Sequence, residues 1–176
     1  MSTTPEASAP PPRKRRPPRR VEVTNVQVLS PAMRRITLKG TELEGFAPEL
    51  PASYIKLIFP EPGQTEPERP LPDAPRPKAM RTYTPLAVRP EVHEVDVDFV
   101  LHGEGPASTW AAQAKVGNVI YLMGPGPGYA LDKSVAEHLL IADDSALPAV
   151  ENILSELPAS AKVQLLVEVI SADEER

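Results

Sequence analysis

Arg81-Thr82-Tyr83-Thr84 and the run from Leu101 to Trp110 hold the residue types in this chain that could do chemistry together. A guanidinium fork matches a phosphate, an aromatic plane matches a flat partner, and a small hydroxyl can reach a ring nitrogen. Strand alternation puts Arg81 and Tyr83 on one face and Thr82 and Thr84 on the other, though a twist or bulge can return Thr84 to a ligand. Taken alone, these four residues are a weak signal and fit a surface arginine and a half-buried tyrosine better.

The second run reads Leu101-His102-Gly103-Glu104-Gly105-Pro106-Ala107-Ser108-Thr109-Trp110. Its order is strand end, two glycines, small residues, hydroxyls, helix. Glycines let a backbone approach an anion, and a new helix offers amide donors and a positive dipole end. Closing a tight turn is the plainer use of the same glycines. His102 has no carboxylate in view to make it a base, and reads as a turn residue. Trp110 reads as a helix anchor in a core between domains. Gly124-Pro125-Gly126-Pro127-Gly128 follows a strand but opens no helix, so it is neither a dinucleotide fingerprint nor a P-loop. Asp143-Asp144 reads as helix N-cap and polar crevice wall rather than as metal ligands.

Elements must position these residues. Val21, Val23, Val26 and Val28 alternate over part of a first strand, and Arg35–Leu38 continues the trend in a second. Residues 53–60 (SYIKLIFP) make a third. Residues 61–80 lack periodicity and read as a long exposed loop. Strands resume over 81–88 and 91–101. In the latter, Val95, Val97, Phe99 and Leu101 face one way while Glu94, Asp96 and Asp98 face the other. A short helix over 107–114 and a strand over 119–123 follow, and so many alternating strands with few helices argue for a small antiparallel β-barrel or a sandwich. Beyond Gly128 the pattern changes. His138–Ala142 (HLLIA) is a near-continuous apolar run, as in a strand covered on both faces. A helix with Leu147, Val150, Ile153, Leu154 and Leu157 follows, then a strand over 162–170. This β-α-β unit begins an α/β sheet. The expected division is a basic Pro-rich tail without order over 1–20, a barrel over 21–130, and a partial α/β domain, cut short, over 131–176.

Composition narrows the function. The chain has 176 residues, 23 prolines, no cysteine and three histidines, His93, His102 and His138, too scattered to ligate a metal. Disulfides, Cys-ligated zinc and iron–sulfur clusters are excluded. No apolar run reaches the ~18–20 residues of a membrane span, and no secretory signal opens the chain, so a soluble cytoplasmic protein is expected. Net charge is −5. Six basic residues lie within the first 20, which leaves an acidic body unsuited to nucleic acid.

The four motifs occur in order: R-x-Y-T, then D-F-V-L-H-G-x-G-P-A-S-T-W-A, then G-P-G, then I-A-D-D-S-A-L-P-A. Together they resemble the siderophore-interacting proteins, FAD-containing ferric-siderophore reductases of the ferredoxin-reductase superfamily. The resemblance runs from about Val21 to Asp173. It implies a flavin-binding barrel followed by an α/β domain for a nicotinamide nucleotide, NADPH or NADH. It also implies that Arg81 pairs with the FAD pyrophosphate, Tyr83 lies against the isoalloxazine and Thr84 meets its N5 edge. Asp98, Val100 and His102 would line the cofactor, with Gly105, Ala107 and Ser108 at its phosphates. Asp144, Ser145 and Ala146 would form the nucleotide turn, and Lys56 would attract an anionic ferric siderophore. The implied activity passes electrons from NAD(P)H through FAD to Fe(III), with no catalytic acid or base. The alternative is a truncated, non-catalytic flavin- or chelate-binding remnant.

Overall fold

The computed structural model describes residues 17–71 and 74–174. Seven strands form one antiparallel sheet: β1 (Arg19–Ser30), β2 (Met33–Lys39), β3 (Ile55–Ile58), β4 (Met80–Tyr83), β5 (Ala87–Arg89), β6 (Glu94–Val100) and β7 (Val119–Met123). Their order is β4-β3-β7-β1-β2-β6-β5. The two edge strands, β4 and β5, are joined by residues 84–86 alone. So short a link forces the sheet to curl until its edges meet, which makes the expected barrel. Pro85 separates β4 from β5, so the single strand expected over 81–88 is two.

The core follows the alternation. Val95, Val97 and Phe99 of β6 point inward with Ile36 and Leu38 of β2, Ile55 and Leu57 of β3, and Ile120 and Leu122 of β7. Outward on β6, Asp96 takes a two-pronged ion pair from Arg89 and Asp98 one from Arg35. Val28 departs from the expected pattern and is exposed. Irregular pairing between Val23 and Asn25 shifts the register there, which puts Val26 rather than Asn25 against the core. β1 starts at Arg19, so Arg19 and Arg20 belong to the sheet rather than to a tail. Residues 1–16 of that expected tail lie outside the described residues.

Helix α1 (Pro106–Gln113) packs Ala107 and Ala111 against the barrel core. Its C-terminal carbonyls would otherwise lack donors. Arg34 of β2 supplies one, donating from Nη1 to the Ala111 oxygen at 3.0 Å. The exit strap after β7 runs against residues 51–54, with the Gly126 amide on the Tyr54 oxygen at 2.7 Å. A Cβ at Gly126 would stand 2.3 Å from the Tyr54 ring, so any larger residue there would have to displace that ring.

β8 (Glu137–Asp143) and β9 (Lys162–Glu168) are parallel and joined by α2 (Leu147–Glu156). Asp143 caps the turn into α2, its Oδ1 accepting from the Ala146 amide at 3.0 Å. The expected two-sided cover of β8 is not present: Leu139, Ile141 and Leu166 are exposed on one face. α2 packs against the other face at β8 only, since Val163, Leu165 and Val167 of β9 are exposed as well, and no further helix of the described residues lies over the first face. Among the described residues, side-chain hydrogen bonds tie this unit to the barrel at two places. Asn152 Nδ2 donates to the Leu86 oxygen at 3.2 Å. The buried Glu174 accepts from the Ser30 hydroxyl and, at 3.0 Å, from the Ala32 amide.

Candidate functional site

A groove of about 780 Å³ runs along one face of α1. Its helix wall is Pro106, Thr109, Trp110 and Gln113, spaced i, i+3, i+4 and i+7. The opposite wall is residues 60–65 with Lys78, Ala79 and Arg81. Lys78, Arg81 and Lys115 make it cationic against one acid, Glu61, in a chain that is acidic overall.

Arg81 is held against the strand start, donating from Nη1 to the Lys78 and Met80 oxygens at 3.1 and 3.0 Å. Those bonds use one nitrogen of the guanidinium fork at the groove wall. Tyr83, two residues on, packs into the barrel mouth with its ring 4.6 Å from Phe99 and 6.4 Å from Phe59. Burial pushes its phenol up to about 12, against a smaller opposing pull from Arg81. Tyr83 is therefore a neutral aromatic plane near pH 7.

Gly105 stands at φ +86 immediately before α1, a conformation side chains resist. Pro106 occupies the first helical position, where no amide donor is needed. The Ser108 hydroxyl is buried and accepts from the His102 amide at 3.0 Å, which fixes the turn instead of facing the groove. The Ala107 side chain is likewise in the core. What these two residues can offer a ligand is backbone at a helix start, where the first amides have no intrahelical acceptor.

Of the residues expected from sequence, Arg81 and Gly105 meet at the groove, with Ala107, Ser108 and His102 beside them. Asp98 does not reach it: alternation turns its carboxylate outward onto Arg35, at 2.7 and 2.9 Å. Val100 shares that outward alternation. Lys56 pairs with Thr82 across β3 and β4, on the face opposite Tyr83, and its Nζ lies 5.8 Å from the Tyr54 ring centroid. Thr84 lies in the link between the sheet edges. Asp144 is buried at the barrel side of the second unit, with one carboxylate oxygen lacking a partner among the described residues. Ser145 donates to Asp143 at 2.7 Å. Asp143 and Ala146 line a second, smaller hollow at the C-terminal ends of β8 and β9.

Trp110 corrects an expectation. Its indole lies 5.2 Å from Phe59 and 5.7 Å from Phe99, so it anchors α1 to the barrel itself and lines the groove. Sequence reasoning also missed Lys78, Lys115 and the 60–65 wall. The α1 stripe was the available signal, since Thr109, Trp110 and Gln113 share a helix face with Pro106.

Residues 22–129 match the siderophore-interacting FAD-binding domain, and residues 135–176 match the siderophore-interacting protein domain. The chain belongs to the siderophore-interacting protein family. It is 34% identical over 159 residues to the ferric vibriobactin reductase ViuB of Vibrio cholerae, covering 86% of this chain and 59% of that one. It is 34% identical over 161 residues to the NADPH-dependent ferric-chelate reductase of Escherichia coli, covering 86% and 63%. A siderophore utilization protein from T. fusca superposes with a TM-score of 0.80 at 32% identity, over 93% of this chain and 66% of that structure. The chain thus spans about 60% of the length of these curated relatives.

Proposed function

We propose that this chain is the flavin-holding part of an oxidoreductase that passes electrons from a nicotinamide nucleotide through FAD to Fe(III) in a ferric siderophore. The observation that carries this reading is the meeting of Arg81 with the Gly105–Pro106 helix start in one cationic groove, two residues along β4 from an uncharged aromatic plane. That donor set fits FAD. Arg81 and the first amides of α1 would hold the pyrophosphate, Tyr83 would lie against the isoalloxazine, and Thr84 and His102 would border it. When bound, FAD supplies a centre that takes a hydride and gives up its two electrons singly, one to each of two Fe(III).

The chain's own residues bind and orient. Tyr83 needs no proton transfer to do so, and an outer-sphere electron transfer calls for no acid or base. Lys56 would draw an anionic chelate to the opposite face of β3. Asp144, Ser145 and Ala146, beside the hollow at the ends of β8 and β9, would meet the nicotinamide nucleotide, as ligands do at strand C-termini of α/β sheets. The names of the two reductases, one NADPH-dependent, support both donor and substrate class.

A second reading is a flavin-binding module that nicotinamide nucleotides do not reduce. The two-stranded sheet with its exposed apolar face favours it. One experiment separates these readings. The purified chain should be yellow, and Arg81→Ala should weaken FAD binding about 10- to 100-fold, the scale of a lost charged hydrogen bond. Bleaching of the flavin by NADPH or NADH, followed by reoxidation with a ferric chelate, supports the reductase. Bleaching by dithionite alone supports the module. A folded chain that takes up no FAD overturns both.

A further inference from the structure

β9 hydrogen-bonds to β8 along one edge, and among the described residues no strand pairs along its other edge. A free edge of this kind carries unpaired N–H and C=O groups and is a template for another strand. β9 reads Lys-Val-Gln-Leu-Leu-Val-Glu, with no proline to guard it and charge at its two ends alone. Val163, Leu165, Leu166 and Val167 are all exposed. Those end charges are of opposite sign, whereas β8 has an acid at each end, Glu137 and Asp143. Charge therefore sorts the ways in which two copies could meet edge to edge. β8 on β8, antiparallel, sets like charges opposite at both ends, and so does β9 on β9 in parallel. β8 on β9 matches at one end and clashes at the other in either direction. β9 on β9, antiparallel about Leu165, sets Lys162 opposite Glu168 of the second copy at both ends. Val163 then faces Val167, and Leu165 faces itself.

We propose that two copies of this chain join through β9, antiparallel and centred on Leu165, into one four-stranded sheet ordered β8-β9-β9-β8. The contact uses the same surface of both copies, so it closes at a dimer. Main-chain hydrogen bonds supply its affinity, as in other strand additions. On the uncovered face, Leu166 of each copy lies next to Gln164 of the other, which carries the apolar surface of Leu139 and Ile141 across the join. On the opposite face, Val163, Leu165 and Val167 gain the neighbours that α2 does not give them. Within one chain Asp143 stands opposite Glu168, two acids side by side at the hollow they line. Lys162 of the second copy arrives beside that pair, so each hollow receives a cation from the other copy. This surface is separate from the flavin groove and does not depend on it.

The test is sedimentation of the full chain over a range of concentrations. A reversible monomer–dimer equilibrium is expected, without larger species. Lys162→Glu and Glu168→Lys should each weaken the dimer about tenfold, because each turns two matched cross-strand pairs into two like-charged ones. The double variant, Lys162→Glu with Glu168→Lys, should return to within about threefold of the parent chain, since the matched pairs are restored with their signs exchanged. The Lys162–Glu137 ion pair within the chain stays broken in that variant, so its recovery reports pairing between copies. The chain has no cysteine, so Leu165→Cys places two thiols opposite each other across the axis. It should oxidise to a linked dimer much faster than Leu139→Cys. A monomer at every concentration, growth beyond the dimer, single variants that associate like the parent, or a double variant no tighter than the single ones would overturn the proposal.

Discussion

The barrel and the β8-α2-β9 unit are built from similarly apolar strands, yet they differ in what those strands touch. Phe99 of β6 is fully buried among Phe59, Tyr83 and Trp110, whereas Ile141 of β8 is 74% exposed and Leu166 of β9 is 58% exposed. A strand paired on both sides and covered on its inner face contributes hydrophobic stabilisation, whereas an uncovered one contributes little. The stable scaffold for a ligand is therefore the barrel with α1, and the second unit presents an adhesive face. The sharpest way to break this comparison is a pair of substitutions. Phe99→Ala should cost about 3–5 kcal/mol in urea unfolding and release any bound flavin. Leu166→Gln should change stability by less than about 0.5 kcal/mol and reduce concentration-dependent association. Comparable destabilisation by the two would mean that the second unit carries core as the barrel does.

The seam between the regions is polar, and Glu174 is its most buried member. Its carboxylate serves the Ser30 hydroxyl and the Ala32 amide in the β1–β2 turn. Glu174→Ala would strand both donors, at about 1–3 kcal/mol. Because the contact joins the units, the loss should appear as faster proteolysis of the segment after β8, with the barrel's melting little changed. A lowered barrel melting temperature with unaltered proteolysis would mean that Glu174 supports the hairpin alone.

The same contrast governs how much of the molecule was legible in the sequence. Strand β7, helix α1 and the two faces of β6 were readable because period and punctuation are local: Gly105-Pro106 opens the helix and Asp96 and Asp98 mark the wet face. The Arg81 and Gly105 motifs could be placed on elements for the same reason. What sequence could not carry was anything set by distant partners. That the Asp98 carboxylate is taken up by Arg35 shows only once β2 is found opposite β6. Trp110 reads as a domain anchor until Phe59 is found beneath it. Lys78 and Lys115 lie 37 positions apart and share a groove only once β4 and α1 have been brought together. For β8, an apolar run foretold cover on both faces, and the described elements supply it on one, because hydrophobicity states what a strand needs and not what it receives.

The smallest expected effect tests whether the second unit is locally ordered despite its exposed sheet. Asp143 caps the entry to α2, and its carboxyl is held below the usual range, first by the Ser145 hydroxyl and then by backbone amides, the Ala146 N–H among them. A depressed carboxyl contributes stability above its unfolded value that is lost as pH falls through the folded one. Acid alone cannot isolate this cap, since Asp96 and Glu94 of the barrel are depressed in the same direction by Arg89 and Lys39. Asp143→Asn can: asparagine still accepts from the Ala146 amide but does not titrate. Amide exchange in α2 should be about equally slow in both proteins near neutrality and should quicken on acidification only in the parent chain. Asp143→Ala should lower α2 protection at neutral pH by about 1 kcal/mol. If all three proteins exchange alike at every pH, α2 draws its order from the Asn152–Leu86 contact with the barrel rather than from its own cap.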